Sequence, residues 1–176
     1  MICLQRKFFT YIRNIDNYNI VCEKERACFQ HGTTTVLKHS RNVAYNSLIL
    51  AKKLEEKFNL KFDYNTLIIG AFLHDFFIYD WHKKESGHRL HGYMHPKIAS
   101  KNALEICNVD NNVCKIIKTH MWPLTITKIP ASREAIIVCM VDKYIALIET
   151  LKKYGKGNKK QNEICNTKSN TVQVLK

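Results

Sequence analysis

The sequence has few of the residues that make turns. Its 176 residues include only six glycines and three prolines, whereas an all-β domain with many short strands needs more of both between its strands. No stretch approaches the ~18 consecutive apolar residues of a membrane-spanning helix, since the longest clear run, 135–141, is only seven residues long. We therefore expect a helical protein without a membrane segment.

The cysteines lack the spacing of a metal or disulfide framework. There are seven, an odd number, and no two form a Cys-x-x-Cys pair. Cys107, Cys114 and Cys139 fall at apolar positions of predicted helices, where cysteine behaves as a small hydrophobic residue. No long apolar segment follows the N-terminal charges Arg6 and Lys7, so no signal peptide is predicted. These features indicate a reducing, cytoplasmic location and exclude a zinc finger.

Acidic residues are scarce relative to basic ones, with 15 Asp and Glu against 28 Lys and Arg, a formal net charge of +13. The segment 151–176 contributes +6 of this total, from seven lysines against Glu163 alone. Its polar composition predicts a basic tail that frays or is disordered and that can attract nucleic acid. The remaining +7 suggests partners that carry phosphate, although solubility on a lysine-rich background explains it equally well.

Apolar residues at helical spacing recur along most of the chain and predict six helices. The helices are expected at 4–15, 34–58, 67–77, 96–107, 110–120 and from 133 onward. The range 80–93 is polar and rich in histidine, which indicates a loop. Pro96 suits the first turn of the fourth helix. No hairpin and no internal repeat is recognised.

This pattern predicts an all-α, single-domain helical bundle. An N-terminal helical segment (1–29) is expected to pack on a core domain (30–150), which precedes the basic tail (151–176). The apolar fraction of 45% is sufficient for one sizeable hydrophobic core.

Four polar residues interrupt apolar helix faces. His74 and Asp75 are adjacent within the apolar run 70–77, His39 lies on the apolar stripe of the preceding helix, and Asp142 interrupts the last core helix. Burial of such groups costs several kcal/mol without compensation. A buried His–Asp ion pair would account for the adjacent pair alone. One divalent cation would compensate all four, and mixed imidazole and carboxylate ligands suit Fe, Mn, Zn or Co better than Ca.

The order of these residues resembles the HD superfamily of metal-dependent phosphohydrolases. The segment Val36–Ala44 is similar to the first helix of that family and Gly70–Asp75 is similar to its signature, while Val141–Tyr144 resembles the stretch with the closing aspartate. The resemblance covers about 30–149 and implies an HD-type helical domain.

Two further stretches resemble the HD subset with extra histidines. These are His95–Ser100 and Ile116–His120. The subset includes bacterial diadenosine tetraphosphate hydrolases and HD-GYP-type cyclic-dinucleotide phosphodiesterases. The Gly-Tyr-Pro element of the second group is absent, because Met94 follows Gly92-Tyr93.

The resemblance implies two divalent metal ions, or one if the second site is weak. The implied ligands are His39, His74, Asp75 and Asp142 for the first ion, and His95, His120 and a bridging Asp75 for the second. The catalytic set would be Asp75, His95 and His120. Such a site would cleave a phosphoester or phosphoanhydride bond of a small nucleotide-like substrate with a metal-bound hydroxide.

Three residues are weaker candidates for substrate contacts. His31 precedes the first metal helix, Arg89 shares a loop with His82 and His88, and Lys143 follows Asp142. For each of them a solvated surface side chain is the alternative.

His91 competes with His95 for the second metal, because the two are four residues apart. The sequence favours His95, since Pro96 would place it at a helix N-terminus and the family resemblance falls there.

A second class of function is a non-catalytic, metal-stabilised module that binds nucleic acid or nucleotides through the +13 charge. We favour the enzyme, because a binding module does not need six metal-type side chains. Neither hypothesis specifies the exact substrate, the metal or the oligomeric state.

Overall fold

A computed structural model describes the backbone of residues 2–31, 34–78 and 91–172, and the side chains of 4–29, 34–78 and 92–152. Within these ranges the chain forms seven helices, which confirms the predicted all-α fold class. The helices are α1 (Ile2–Arg13), α2 (Tyr18–Ala27), α3 (Val36–Phe58), α4 (Tyr64–Leu73), α5 (His91–Cys107), α6 (Asn111–Thr119) and α7 (Arg133–Val172). None of the described helices is both long and apolar enough to cross a membrane.

A short antiparallel ladder connects α2 to α3. Its strands are β1 (Phe29–His31) and β2 (Thr34–Thr35), with Phe29 opposite Thr35. The expectation that the chain contains no hairpin is therefore wrong at this point. Strands of three and two residues are too short to produce the alternating pattern that would have predicted them. The ladder ends where the Thr35 side chain accepts a hydrogen bond from the Lys38 N–H and caps α3.

Helices α3 and α4 form the centre of the bundle. Along α3, His39, Val43 and Ser47 are each fully buried and lie four residues apart on one face. Helix α4 is apolar on all sides, as predicted, and its N-terminus is capped by Asp63, whose carboxylate accepts a hydrogen bond from the Thr66 N–H. The buried α4 positions the His74–Asp75 pair at its C-terminal end.

A glycine on α4 allows α6 to approach closely. A Cβ atom at Gly70 would lie 2.9 Å from Cγ2 of Ile116 on α6, a distance that real Cβ contacts do not reach. The close approach of these two helices brings their C-terminal turns, and the histidines in them, to the same side of the bundle.

The other helices pack around this centre. Fully buried apolar side chains come from α1 (Ile12), α2 (Val21), α5 (Ala99) and α7 (Val138). The N-terminal helices thus contribute to the same core as the rest of the chain. The sequence indicated a helical N-terminal segment but did not predict α2 as a separate element.

The cysteines at the predicted apolar positions pack as small hydrophobic residues. Cys107, Cys114 and Cys139 are all buried, and none of the three takes part in a disulfide.

Two helix boundaries differ from the sequence prediction. Helix α4 ends at Leu73 rather than at residue 77, because a tight turn follows in which the Phe77 N–H donates to the Asp75 carbonyl at 2.8 Å. Helix α5 begins at His91, so Pro96 lies inside it and not in its first turn. Proline has no N–H, and the Gly92 carbonyl therefore lacks its intrahelical donor. The placement of His95 at a helix N-terminus was consequently wrong.

The backbone of α7 continues to Val172 and so enters the range predicted to fray or be disordered. No proline occurs between 133 and 172, and no residue there enforces a stop on steric grounds. The boundaries of the three predicted segments stay predictions.

Candidate metal centre

Six polar side chains from five helices and their adjoining turns meet in one buried cluster. His39 is on α3, His95 on α5 and Asp142 on α7, while His74 and Asp75 follow α4 and His120 follows α6. The most exposed of the six, Asp142, has an exposed fraction of only 7%. All six residues that the sequence assigned to metal binding are therefore brought together.

Four of these residues form a first potential ligand group. His39, His74, Asp75 and Asp142 each offer one ligand atom, and these atoms all lie within 4.8 Å of one another. Nε2 of His39 is 3.1 Å from Oδ1 of Asp142, and Nε2 of His74 is 3.4 Å from the same oxygen. Oδ2 of Asp75 lies 3.2 Å from His74 Nε2 and 3.7 Å from His39 Nε2. Two imidazole nitrogens thus converge with two carboxylate oxygens.

The other oxygen of Asp75 belongs to a second group. Oδ1 of Asp75 lies 3.2 Å from Nε2 of His95 and 3.6 Å from Nε2 of His120. The two histidine nitrogens are 2.9 Å apart. Asp75 therefore directs Oδ2 to the first group and Oδ1 to the second, which is the arrangement of a bridging carboxylate.

Backbone carbonyls orient two of the histidines. Nδ1 of His74 donates to the Ala71 carbonyl at 2.8 Å, and Nδ1 of His120 donates to the Ile117 carbonyl at 2.7 Å. Both histidines are the C-caps of their helices, where carbonyls lack intrahelical partners. With Nδ1 of each ring donating to a carbonyl, Nε2 is directed into the cluster, where it can bind a metal ion once it carries no proton.

Glu149 is a functional candidate that the sequence did not reveal. Its Oε2 accepts a hydrogen bond from Nδ1 of His39 at 2.9 Å, and its Oε1 accepts one from Nδ2 of Asn42 at 3.2 Å. Its side chain is only 9% exposed. A carboxylate that holds the far nitrogen of a ligand histidine fixes the ring and raises its basicity. The available signal was its spacing, since Glu149 lies two helical turns after Asp142 on one face of α7.

The donor set fits a divalent transition-metal ion. Nε2 of His74 is a buried atom with no hydrogen-bond partner among the described residues, although Asp75 and Asp142 oxygens lie 3.2 and 3.4 Å away. Nε2 of His39, Nε2 of His74 and the oxygens of Asp75 and Asp142 converge on a common space. Neutral imidazoles combined with carboxylates are typical ligands of Fe, Mn, Zn and Co.

The protonation states follow from burial and from the neighbouring charges. Burial alone would raise the pKa of Asp75 and of Asp142. The charge of His74 for Asp75, and a hydrogen bond from His39 together with the charge of His74 for Asp142, hold both pKa values well below the usual range. Burial lowers the pKa of His120 to about 3, with the charge of His74 adding to the effect. Burial acts to lower the pKa of His39 and of His74, but hydrogen bonds with Asp142 and Glu149 raise that of His39 to about 9, and the charge of Asp75 raises that of His74 well above its usual value. A cation bound by the two ionised carboxylates and the neutral His120 would therefore displace protons from these two rings.

Lys143 lies at the rim of the cluster. Its ammonium donates to the His120 carbonyl at 2.6 Å and is 3.7 Å from Oδ2 of Asp142. The side chain remains 40% exposed, so the charge can reach both the site and solvent.

The remaining sequence candidates lie outside the described residues or side chains. Arg89, His82 and His88 fall in the range 79–90, and the side chains of His31 and His91 are likewise outside the description. His95, the preferred candidate over His91, does lie in the cluster, although it occupies the second turn of α5 and not a helix N-terminus.

Comparison with known proteins identifies the class. A family model described as the HD domain matches residues 36–147, which is more than half of the chain and includes all six clustered residues. The chain therefore belongs to the HD-domain family, whose members are generally metal-dependent phosphohydrolases. No curated protein and no solved structure matches the chain. Membership of the subset with extra histidines stays a prediction.

Proposed function

We propose that this protein is a metal-dependent phosphohydrolase that cleaves a phosphoester or phosphoanhydride bond of a small nucleotide-like substrate. The observation that carries the proposal is the division of one carboxylate between two ligand groups. Asp75 directs one oxygen towards His39 and His74 and the other towards His95 and His120. Two adjacent cation sites suit a phosphate group, which offers several oxygens to both ions at once.

The first ion would be held by His39, His74, Asp75 and Asp142, and the second by Asp75, His95 and His120. When bound, such ions polarise a phosphate oxygen and produce a nucleophile from water at neutral pH. The chain's own contribution is orientation. The Ala71 and Ile117 carbonyls keep the protons of His74 and His120 on Nδ1, and Glu149 does the same for His39.

Charge at the rim would bind the substrate. The Lys143 ammonium is fixed beside the cluster by the His120 carbonyl and can neutralise a phosphate oxygen without leaving that position. We propose His31 and Arg89 as further substrate contacts on the basis of their positions in the sequence. We also propose a cytoplasmic location, because cysteines at apolar positions suit a reducing compartment.

A non-catalytic nucleotide- or nucleic-acid-binding module is the competing function. The complete set of ligand-type side chains favours the enzyme, because six buried ionisable groups destabilise a fold that does not use them. The +13 charge is compatible with either function, and we propose nucleic acid only as an accessory partner of the basic tail.

The test combines metal analysis with a substrate screen. Protein purified without chelator should contain one or two transition-metal ions per chain, and a panel of nucleotides assayed for phosphate release should include at least one that is turned over. Activity should be lost on chelation and restored by metal. A chain that binds metal but turns over none of the panel would favour the binding module, and a chain that binds no metal would refute the proposal.

A further inference from the structure

A groove on the N-terminal helices is lined by three arginines. It has a volume of about 1310 Å³ and is formed by α1, the turn after it, α2 and one residue of α3. Arg13, Arg26 and Arg41 line it, whereas Glu23 is the only carboxylate among its described lining residues. The lining thus carries three positive charges and one negative charge, a net charge of +2. Small-molecule pockets usually have volumes of ~300–1,000 Å³, so the groove has room for a ligand of nucleotide size.

Arg41 has only neutral hydrogen-bond partners among the described residues. One terminal nitrogen, Nη2, donates to the Tyr18 hydroxyl at 2.8 Å and lies 3.8 Å from Sγ of Cys22. Its Nε atom is buried and has no hydrogen-bond partner in the described part of the chain. A guanidinium has five N–H donors and cannot lose its charge, so a half-buried one without a counter-ion is costly. An anion in the groove would supply the missing charge.

A buried carboxyl group on α2, that of Glu25, does not act as the counter-ion of Arg41. Glu25 is 2% exposed, and neither of its carboxylate oxygens has a hydrogen-bond partner among the described residues. Burial raises its pKa well above the usual range, although the charges of His74 and Arg41 act in the opposite direction. No ion pair joins Glu25 to Arg41, because neither carboxylate oxygen has a partner among the described residues and the arginine contacts Tyr18 and Cys22 instead. The arginine therefore remains available to an external anion.

The groove lies apart from the metal centre. Arg41 follows His39 by two residues on α3, which places the two side chains ~200° apart around the helix axis. His39 contacts Asp142 and Glu149 of α7, whereas Arg41 contacts Tyr18 and Cys22 of α2. No residue of the six-residue cluster is among the described residues that line the groove.

We propose that this groove binds a small phosphate-bearing anion at a second site, independent of the metal centre. The planar guanidinium fork matches the oxygens of a phosphate group two at a time, which a lysine cannot do. Three arginines in one groove suit a ligand with more than one phosphate group. The site does not depend on the function proposed above, because it uses none of the residues that would hold the metal ions.

The probe for this site is methylenediphosphonate, a diphosphate analogue without a hydrolysable bridge. The full-length protein is titrated with it, and backbone amide shifts are followed by NMR, before and after removal of metal. We expect saturable shifts in the range 9–26 and near Arg41, which persist after metal removal. Arg41→Gln should weaken binding about tenfold, the usual effect of one lost charge-assisted hydrogen bond. Arg26→Gln should weaken it several-fold.

Two control variants distinguish binding in the groove from binding at the metal centre and from general attraction to a basic protein. Arg6→Gln removes an exposed arginine of α1 that does not line the groove, and it should bind like the parent. Asp75→Asn damages the metal centre and should leave the groove shifts unchanged. If Arg41→Gln does not fold, Arg26→Gln decides the question, because Arg26 is exposed. The proposal is overturned if no saturable shift occurs, if both arginine variants bind like the parent, or if the shifts cluster around His120 and vanish with the metal.

Discussion

The two sides of α3 both contain buried ionisable groups, yet their environments differ in kind. On the side of His39, two carboxylates and four imidazoles face one another, and the pKa values of Asp75 and Asp142 lie below the usual range because of their histidine neighbours. On the side of Arg41, the pKa of Glu25 is raised by burial, and its carboxylate makes no hydrogen bond to any described residue. Similar burial is therefore accompanied by pKa shifts in opposite directions.

The difference shows that the partners of a buried group, and not its burial alone, decide its charge. Carboxylates surrounded by oriented imidazoles keep their negative charge and can bind a cation. A buried carboxyl that receives no hydrogen bond has its pKa raised instead, which makes it a poor counter-ion for Arg41. The same helix thus separates a region suited to cations from a region suited to anions.

Among changes to the metal centre on the His39 side of α3, Asp75→Asn should have the largest effect. The neutral amide cannot supply charge to either ligand group, so both metal affinities should fall together and turnover should drop by roughly three orders of magnitude or more, since two metal sites are damaged at once. Metal analysis and phosphate-release assays would measure the two losses. Retention of both metals with undiminished turnover would show that Asp75 is not the bridge.

His120→Gln should separate the two ligand groups. The first group does not include His120, so one tightly held ion should remain while turnover falls by about 10²-fold, the effect expected for loss of one essential catalytic element. Metal analysis and turnover assays with the best nucleotide of the panel would measure the two effects. His95→Gln should behave in the same way, and His91→Gln should retain most activity. A variant of His91 that loses metal while the His95 variant keeps it would reverse our assignment.

Glu149→Gln should weaken the first metal without removing a ligand. The amide that replaces the carboxylate can still contact Nδ1 of His39, but it lacks the negative charge that raises the basicity of the ring, and such changes usually lower metal affinity by ~10–100-fold. Competition with a chromophoric chelator measures the affinity directly. Asn42→Ala is the matched control, because it removes the other contact of Glu149 and should have a smaller effect. Equal affinities in the Glu149 variant and the parent would limit this residue to a packing role.

On the other side of α3, Glu25→Gln should stabilise the protein at neutral pH. The pKa of Glu25 is raised in the folded state. Its stabilising contribution to the free energy of unfolding is therefore complete below the unfolded pKa of 4.5, and it is lost as the pH rises towards the folded pKa. Glutamine has the same shape and cannot ionise, and we expect ~1–2 kcal/mol more stability at about pH 8 than in the parent. Urea unfolding at about pH 5 and pH 8 tests this, because the advantage should shrink at the lower pH. A variant less stable than the parent at both values would indicate an ionised Glu25.

The smallest effect is expected from truncation after Tyr154. The removed segment lies beyond Asp142 and Glu149, so metal content, folding and nucleotide turnover should be nearly unchanged. Any binding of nucleic acid by the intact chain should weaken in the truncated form and should fall steeply with salt, as electrostatic attraction does. Loss of turnover on truncation would instead assign the tail to the active site.

Much of the metal centre could be predicted from the sequence because its residues violate local patterns. His39, His74, Asp75 and Asp142 stand out as polar residues on apolar helix faces, and such violations are visible without knowledge of any contact. Glu149 gives only a weak signal, its position two helical turns after Asp142, because a glutamate next to the lysine-rich end of a helix is ordinary. Its role depends on His39, which is 110 positions away in the chain, and no local pattern contains that information.

The two incorrect predictions, the position of Pro96 in its helix and the absence of a hairpin, also arose because no local pattern contains the required information. Pro96 was assigned to a first turn because its missing N–H suits that position, but the earlier start of α5 at His91 has no cap signal in the sequence. The strands β1 and β2, three and two residues long, cover at most one and a half periods of the two-residue alternation of a strand. Element type could thus be predicted for long periodic segments, whereas the ends of elements depended on contacts between them.

The sequence by itself determined that the chain is helical, which faces of its helices are apolar, and which polar residues must be compensated once those faces are buried. These properties follow from local periodicity, which is fixed by residue order alone. Only the tertiary structure decided that Asp75 divides its two oxygens between two histidine pairs, that Glu149 holds His39, and that Arg41 turns away from the metal centre into a groove. Those features depend on distances between side chains from different helices, and such distances are set when the helices pack.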